Sequence, residues 1–315
     1  MTLAAYLDDL RGVVNEALDR VFHRSAAPPL IVEAMRYALL GGGKRLRPCL
    51  TLAASEAVAP RVGLSPAEAR LKALPNACGV ELVHCYSLVH DDLPAMDDDT
   101  LRRGRPTTHV TFGDGVAVLA GDGLLTEAFA VVAASPSPVT APGSPQPSAD
   151  ARLRSVQMLA AAAGGAGMVG GQTIDLAAAG RVLNREPVRL DAPALEDMHA
   201  RKTGALIRAA ATLGAAAVDA DQATLQAIDV FARDLGLAFQ IVDDVLDVEG
   251  SAAEIGKTSG KDAAAHKVTY PSLYGVEASR RLAAECIERA RAALAAAALD
   301  GRLGEIADWS LGRRQ

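Results

Sequence analysis

Residues 80–99 read VELVHCYSLVHDDLPAMDDD, an apolar run at helical spacing that ends in a dense group of aspartates. Carboxylates packed this closely repel one another, and they are costly near a core unless they share a cation. Oxygen ligands suit Mg²⁺, which keeps several waters and commonly bridges one or two carboxylates to substrate phosphates. No pair of Cys or His at ligand spacing indicates zinc instead. The stretch therefore predicts a helix that leads into a magnesium site.

The spacing of these aspartates leaves one metal ligand undecided. In an undistorted helix Asp91 shares a face with Asp98, seven residues on, and not with Asp97. Pro94 removes a backbone N–H and clashes with the preceding turn, so it should distort the helix. That distortion could bring Asp97 round to the face of Asp91. Helical geometry alone does not choose between Asp97 and Asp98.

A second acid cluster lies in residues 239–247, FQIVDDVLD, again within an apolar helical run. Asp243 and Asp247 are one turn apart on the same face, and without a cation this pairing mildly destabilises a helix. One aspartate-rich stretch alone is usually a solvated helix end. Two such clusters, each on an apolar helix, favour a function in binding cations.

Composition predicts an all-α fold. Half of the 315 residues are hydrophobic, but only 3% are aromatic. The Ala and Leu residues that make up much of the apolar content favour helices, whereas strands prefer β-branched and aromatic residues. Apolar residues recur at helical spacing in five stretches, which are 3–22, 66–90, 151–163, 222–248 and 277–297.

Charge and cysteine content argue against several classes of protein. The net charge of -6 is unlike that of a general nucleic-acid binder, which usually has a basic face. The four cysteines form no C-x-x-C pair and indicate reduced thiols in a cytosolic protein. Asp8, Asp9 and Arg11 stand where a signal peptide would need an apolar run. No uncharged apolar stretch approaches the ~20 residues that cross a bilayer. We therefore expect a soluble, cytoplasmic protein without a membrane span.

One segment of low complexity interrupts the helical pattern. Residues 134–149 read ASPSPVTAPGSPQPSA, and this Pro and Ser content does not sustain a packed helix. We expect an exposed, flexible loop between two helices. A domain boundary in this loop is the alternative. A single domain over residues 1–315 is favoured, because the chemistry needs residues from both sides of the loop.

Short basic runs surround the two acid clusters. Lys44 and Arg47 follow a glycine run and are three residues apart, so they could face one anion, with Arg offering a fork of donors to phosphate oxygens. The phosphate-loop pattern of nucleotide-binding proteins is absent. Acid pairs for Mg²⁺ together with separate cations suit a substrate that carries a diphosphate. The further candidate cations are Arg102, Arg103, Lys202, Lys257 and Lys267.

Taken in order, these blocks of sequence resemble the trans-isoprenyl diphosphate synthases. Residues 88–109 are similar to the first aspartate-rich motif of that family, and residues 239–247 are similar to the second. Within the family the chain is most similar to the bacterial farnesyl diphosphate synthases (geranyltranstransferases). The resemblance runs from about residue 30 to the C-terminus. Further matching blocks are GGKRLRP at 42–48, GDGLL at 121–125, GGQTIDL at 170–176 and KTG at 202–204.

The resemblance implies a fold and a metal site. It implies an all-α, single-domain helical bundle of the isoprenoid synthase type, with a central active-site cavity and a homodimeric assembly. The two acid clusters would face each other across the mouth of the cavity. Asp91 and Asp97 would bind Mg²⁺ against an allylic diphosphate, and Asp243 would hold a further ion, three ions in all with substrate bound. The resemblance thus prefers Asp97 over Asp98.

The resemblance also implies two diphosphate sites. Isopentenyl diphosphate would be bound by Lys44, Arg47, His84 and Arg103, although a structural role for His84 is the alternative. The allylic diphosphate would contact Arg102, Lys202, Thr203, Gln240, Lys257 and Lys267. The residues expected to act in catalysis are Asp91, Asp97, Arg102, Lys202, Asp243 and Lys257.

The expected reaction joins isopentenyl diphosphate head to tail to an allylic diphosphate. On a helix, Ser87 and Tyr86, four and five residues before Asp91, point toward the cavity floor. A Tyr there blocks the growing chain, which predicts a farnesyl (C15) product made from dimethylallyl through geranyl diphosphate. A geranyl or geranylgeranyl product is the nearest alternative. A class I terpene cyclase, which generally lacks the site around Lys44 and Arg47, and a non-catalytic subunit are the others.

Overall fold

The computed structural model describes residues 1–23, 25–249, 268–299 and 301–312. Within these ranges the chain is almost wholly helical, so the predicted all-α fold is confirmed. The α-helices are α1 (Leu3–Arg20), α2 (Pro29–Leu39), α3 (Leu46–Val58), α4 (Pro66–Asp91), α5 (Thr108–Phe112), α6 (Asp114–Ala133), α7 (Ala149–Ala163), α8 (Met168–Ala178), α9 (Ala192–His199), α10 (Ala205–Ala217), α11 (Gln222–Glu249), α12 (Tyr270–Tyr274), α13 (Val276–Ala296) and α14 (Leu303–Gly312).

Three short elements complete the described secondary structure. Strands β1 (Leu101–Arg102) and β2 (Arg105–Pro106) form an antiparallel hairpin just after the first acid cluster. A 3₁₀-helix spans Ala59–Val62, and a π-helix spans Ala200–Gly204 between α9 and α10. The hairpin and the π-helix both carry residues assigned to the site.

The helices predicted from apolar spacing are present, with boundaries that local chemistry explains. Helix α4 begins with a capping box, in which the Ser65 hydroxyl accepts the Glu68 N–H and the Glu68 carboxylate accepts the Ser65 N–H. This exchange satisfies two backbone donors that a helix start leaves without partners. The other predicted stretches match α1, α7, α11 and α13 to within a few residues.

The chain forms two compact units. The first comprises residues 1–157 and 213–220, and the second comprises residues 158–212 and 221–315. The segment 134–149 lies inside the first unit, so the division does not fall where the sequence offered a boundary.

The segment 134–149 contains no helix before its last residue, but part of it is packed. Val139 is fully buried. The Gln146 side chain accepts an N–H bond from Ser137 at 3.1 Å and donates to the Thr140 hydroxyl at 3.0 Å. The expectation of a wholly exposed loop is therefore corrected, because its polar groups satisfy one another around an apolar residue. Its flexibility stays a prediction.

In the first unit, α4 packs against α3 and α6. The contact with α6 is close because Gly121 faces the His90 ring, leaving no room for a Cβ atom. The His90 Nε2–H donates to the Val118 carbonyl oxygen at 3.0 Å. Deeper in α4, the Asn76 amide donates to Ser155 Oγ at 2.8 Å. These polar contacts fix the helix that ends in the first acid cluster.

In the second unit, α11 packs along α13. Phe231 of α11 is fully buried in this interface region. The buried Asp234 carboxylate of α11 accepts a hydrogen bond from Arg289 Nε of α13 at 3.0 Å. This packing supports the helix that carries the second acid cluster.

Helix α6 has an apolar outward face. Val118 and Leu119 are 40% and 59% exposed. Among the described residues, α6 is the one helix that is long and apolar enough to cross a membrane by length and composition. One such helix is weak evidence for a span, since the core helices of soluble proteins meet the same criterion.

Candidate active site

The first acid cluster is a series of turns and not a distorted helix. Helix α4 ends at Asp91, before Pro94. The Asp97 N–H then donates to the Asp91 carbonyl oxygen at 2.8 Å, which folds the chain back onto the helix end. Asp98 has a left-handed φ of +53° and is exposed. The straight-helix spacing therefore does not apply, and the turn brings the backbone of Asp97 onto Asp91.

The carboxylate of Asp92 in this cluster forms an ion pair within the protein. Asp92 is 3% exposed. It accepts hydrogen bonds from Arg102 Nε at 2.8 and 3.0 Å and from Arg102 Nη2 at 2.5 Å. Arg102 lies on β1, so the hairpin is tied to the end of α4 by a two-pronged ion pair. Asp92 is therefore occupied within the protein, and the assignment of Asp91 and Asp97 to the metal stays a prediction.

Arg103 of the same hairpin lies over the glycine run. Gly42 and Gly43 have φ values of +86° and +119°, which glycine adopts without steric cost. The Arg103 Nη1–H donates to the Gly42 carbonyl oxygen. Its guanidinium occupies the space that a Cβ atom on Gly43 would need. A side chain at position 43 would therefore displace Arg103 from the loop that leads into Lys44.

His84 lies among guanidinium groups on the side of α4. Burial holds the pKa of His84 well below its ordinary value, and the positive charges of Arg47 and Arg103 lower it further. The imidazole is therefore neutral at pH 7 and offers one N–H donor and one acceptor. Three of the four residues predicted to bind isopentenyl diphosphate, His84, Arg47 and Arg103, are thus close enough for their charges to interact, and their role in binding stays a prediction. The fourth, Lys44, is exposed at the end of the glycine run.

A small, half-open pocket of about 50 Å³ lies beside Arg103 in the first unit. Arg102 and Arg103 form its polar wall, while Leu88 and Val89 of α4 contribute apolar surface. The pocket therefore has cations at one side and aliphatic carbons at the other.

The two residues assigned to the cavity floor differ in their surroundings. Tyr86 is 6% exposed, and its ring packs edge-on against His90 with centroids 5.7 Å apart. Burial raises the pKa of Tyr86, and the charge of Asp91 adds to this effect. The Ser87 hydroxyl donates to the His84 carbonyl oxygen at 2.9 Å. The role of Tyr86 and Ser87 in product length stays a prediction.

In the second unit, Lys202 and Thr203 lie in the π-helix Ala200–Gly204. Such π-turns are rare in proteins overall, and those that do occur often lie at functional sites. The turn is held closely, because a Cβ atom on Gly171 of α8 would overlap the Lys202 backbone. A Cβ atom on Gly236 of α11 would lie 3.2 Å from the Gly204 Cα. Two glycines therefore allow α8 and α11 to approach the π-helix closely.

The Lys202 ammonium is paired within the protein. Its Nζ donates to the Asp175 carboxylate at 2.6 Å, and Asp175 is 7% exposed. Asp175 lies one turn after Gly171 on α8, so the glycine that admits the π-helix and the carboxylate that binds its Lys share a face. This places a predicted diphosphate ligand in a defined position in the absence of substrate.

Within the second acid cluster the three aspartates have two kinds of environment. Asp243 and Asp247 are half-buried on one face of α11. Asp244 is buried, and it accepts hydrogen bonds from the Gln240 amide at 3.1 Å and from the Tyr270 N–H at 3.0 Å. Asp244 therefore fixes Gln240 and joins α11 to α12, and the assignment of Asp243 to the metal stays a prediction.

The donor set fits Mg²⁺. In the part of the chain that the structure describes, no group of three or more His, Cys, Asp or Glu side chains converges as a complete metal site. Mg²⁺ seldom needs one, since it keeps several waters and is held by one or two carboxylates and substrate phosphates. The carboxylates of Asp91, Asp97 and Asp243 are oxygen donors of the kind that Mg²⁺ prefers, and that they hold it stays a prediction.

Two predicted ligands and three missed residues complete the site. Lys257 and Lys267 lie outside the described residues, so their contacts with the allylic diphosphate stay predictions. No individual role was predicted for Glu81, Asp175 or Asp244, which are all buried acids. The sequence indicated these residues in part, because an acidic residue inside an apolar helical run is seldom buried without a partner.

Comparisons with known proteins identify relatives of this chain. A family model described as Polyprenyl synthetase matches residues 28–299. The farnesyl diphosphate synthase of Geobacillus stearothermophilus is 40% identical over 303 residues, covering 96% of this chain and 94% of that protein. The heterodimeric geranylgeranyl pyrophosphate synthase large subunit 1, chloroplastic, of Arabidopsis thaliana is 46% identical over 292 residues, covering 91% and 72%. An apo crystal structure of an FPP/GFPP synthase from Zymomonas mobilis matches with a TM-score of 0.77 and 34% identity, covering 99% of each chain.

Proposed function

Because the chain belongs to the polyprenyl synthetase family, we propose that it makes (2E,6E)-farnesyl diphosphate from isopentenyl diphosphate and dimethylallyl or geranyl diphosphate. The broader class is trans-prenyl diphosphate synthesis, the activity of the relatives named as farnesyl and geranylgeranyl synthases. One observation supports the proposal most directly. Burial lowers the pKa of His84 on α4, the helix that ends in Asp91, and Arg47 and Arg103 are near enough for their charges to lower it further.

The first substrate site is assigned to isopentenyl diphosphate. Arg47 and Arg103 can each offer a fork of N–H donors to phosphate oxygens, with Lys44 at the end of the glycine run. Since His84 is neutral, it binds by donating one N–H and does not add a charge. This site holds the diphosphate that is kept in the product.

The second substrate site is assigned to the allylic diphosphate, which leaves during the reaction. Asp91, Asp97 and Asp243 would hold Mg²⁺, three ions in all with substrate bound. These ions would supply positive charge that stabilises the departing diphosphate. Lys202 would exchange Asp175 for phosphate oxygens and stabilise the same developing charge. The other residues assigned to this site are Arg102, Thr203 and Gln240, with Lys257 and Lys267 outside the described residues.

The two assigned diphosphate sites suggest the order in which bonds break and form in the reaction. The allylic C–O bond breaks, and the electron pair leaves with diphosphate. The isopentenyl double bond attacks the allylic carbon to form the new C–C bond, and a proton passes to the released diphosphate. Apolar residues such as Leu88 and Val89 keep water from the carbocation. No His base is needed, and His90 is already engaged with the Val118 carbonyl oxygen.

Product length is the finer part of the proposal. Tyr86 is large and buried one turn before His90, which supports a stop at C15. A geranylgeranyl product is the second candidate, because the chain is 46% identical to a subunit of a protein named for geranylgeranyl pyrophosphate synthesis. A geranyl product remains a third outcome.

We also expect a homodimer in the cytoplasm, without a nucleic-acid ligand or a membrane span. The exposed apolar residues Val118 and Leu119 of α6 suit a face that pairs with a second copy of the chain. The Arabidopsis thaliana relative is named as chloroplastic, so the cellular location rests on the bacterial likeness alone.

Product analysis tests the proposal. Purified protein is incubated with Mg²⁺, dimethylallyl diphosphate and isopentenyl diphosphate, beside a control with EDTA, and the products are identified by mass spectrometry. A metal-dependent C15 diphosphate is the expected result. A C20 product would replace farnesyl by geranylgeranyl synthesis within the same class. The absence of condensation with any allylic primer would overturn the proposal and favour a class I terpene cyclase or a non-catalytic subunit.

A further inference from the structure

Arg45 stands in the basic run that also contains Lys44 and Arg47, yet its side chain is buried. It is 3% exposed, and each of its three nitrogens has a protein acceptor. Nη1 donates to Glu81 Oε1 at 2.7 Å, and Nη2 donates to the Leu39 carbonyl oxygen at 2.7 Å. Nε donates to Asn15 Oδ1 at 3.0 Å. Arg45 is therefore not placed to bind a diphosphate.

The backbone at Arg45 is as specific as its side chain. Arg45 is the N-cap of α3 and has a left-handed φ of +51°, which is unfavourable for a residue with a Cβ atom. Such a conformation persists only where the surroundings over-determine it, and here the three side-chain hydrogen bonds do so. This turn leaves Lys44 exposed before α3 and places Arg47 in its first turn.

The partner of Arg45 lies on the helix that carries His84. Glu81 is 2% exposed and lies three residues before His84, which is about one turn of α4. One buried ion pair therefore joins the start of α3, which carries Arg47, to the part of α4 that carries His84. Stability alone gives little reason for this pair, since apolar residues of similar volume often stabilise a core equally well.

We propose that Arg45 and Glu81 are positioning residues for the isopentenyl diphosphate site. Their ion pair holds Lys44 and Arg47 in the correct position relative to His84, and neither residue touches the substrate. This inference rests on the proposed function, because it concerns the site assigned there to isopentenyl diphosphate.

The test separates positioning from stability with two double variants. Arg45→Met/Glu81→Met replaces the pair by apolar side chains and leaves no unpaired buried charge. The matched control, Arg70→Met/Glu56→Met, removes an ion pair that joins α3 and α4 near the other end of α3. Melting temperature and circular dichroism report folding. Steady-state kinetics give KM for both substrates, and calorimetry in EDTA gives Kd for isopentenyl diphosphate and for inorganic pyrophosphate.

We expect the Arg45/Glu81 double variant to fold and to bind both anions about tenfold more weakly, with KM for isopentenyl diphosphate raised similarly, because small misplacements of binding groups are costly. KM for geranyl diphosphate should change by less than about twofold, and the Arg70/Glu56 variant should keep both KM values. A folded double variant with unchanged Kd, or with both KM values raised equally, would overturn the inference.

Two further measurements apply if the double variant does not fold or if the wild-type protein does not condense its substrates. Should the double variant fail to fold, Glu81→Gln retains an acceptor for Arg45 and should still weaken isopentenyl diphosphate binding, by about two- to fivefold for a lost charge-assisted hydrogen bond. An unchanged Kd in that variant would count against positioning. If the wild-type protein binds pyrophosphate but condenses nothing, the proposed function fails, and the positioning role is judged from the pyrophosphate affinities alone.

Discussion

At the scale of single residues, His84 makes stability depend on pH. Burial and the charges of Arg47 and Arg103 hold the pKa of His84 well below its ordinary value. In the unfolded chain the imidazole takes up a proton as the pH falls through about 6.5, whereas in the folded protein it stays neutral to a lower pH. The unfolded state therefore binds more protons in this window, so stability is complete above it and declines below it.

The measurement that checks this is chemical unfolding of the wild-type protein and His84→Gln between about pH 7.5 and 5.5, the range around the ordinary His pKa. The wild-type free energy of unfolding should fall more steeply as the pH is lowered, because Gln has no proton to gain. The other histidines are common to both proteins and cancel in the comparison. Parallel curves would show that His84 titrates normally in the folded state.

Tyr86 gives the second prediction at this scale. Replacing Tyr86 by Ala removes a buried ring that packs against His90, and the space should admit at least one further isoprene unit. Mass spectrometry of the products should show a shift from C15 to C20 or longer, with a loss of stability of about 3 kcal/mol from the cavity. Ser87→Ala is the control at the neighbouring floor position, and it should keep the product because it hardly changes the volume of the side chain. An unchanged product spectrum in Tyr86→Ala would remove Tyr86 as the stop.

At the scale of secondary-structure elements, the close approach of α8 to the π-helix is predicted to matter for catalysis. A Cβ atom on Gly171 would overlap the Lys202 backbone, so Gly171→Ala must push the two elements apart. We expect a loss of stability of about 1–3 kcal/mol and a fall in kcat of about tenfold or more. Gly12→Ala in α1 meets no atom within 4 Å and should instead stabilise by roughly 0.5–1 kcal/mol. Wild-type kcat in a folded Gly171→Ala variant would contradict this role.

The elements also show where sequence reasoning succeeds and where it stops. Helices such as α4 were predictable because apolar spacing and a capping box both lie within a few residues of sequence. The end of α4 at Asp91 was not predictable in this way, because the turn depends on the hydrogen bond from the Asp97 N–H back to the helix end. The π-helix was missed for a similar reason. Its closeness to α8 depends on Gly171, which is far away in sequence.

The candidate site was predicted in the same uneven way. Repeated acids and bases marked Asp91, Asp243 and Arg47, since their charge pattern is local. The sequence did not show which of the neighbouring charged residues face the site and which bind other side chains of the protein. Arg45 is buried because Glu81, Leu39 and Asn15 accept its hydrogen bonds in the folded unit, and no local pattern records those contacts.

At the scale of the whole molecule, the outward face of α6 predicts self-association. Leu119→Glu places a charge in that face and should weaken the homodimer by about 30-fold or more, as loss of a central contact does. Sedimentation velocity over a range of concentrations measures this. Leu183→Glu is the control, because Leu183 is 90% exposed in the loop after α8 and should leave the dimer intact. A wild-type protein that is monomeric at micromolar concentration would contradict the prediction.

The pairing of Lys202 with Asp175, at 2.6 Å, has a consequence for ligand discovery. A compound that uses this ammonium must first separate it from a buried carboxylate, and a buried charge left alone is costly. A fragment with a single negative charge has too few contacts to offset that cost, so libraries of small monoacids should yield few hits here. Compounds that carry several linked negative charges, or a cation that binds Asp175 in place of Lys202, are the better starting points for inhibitors.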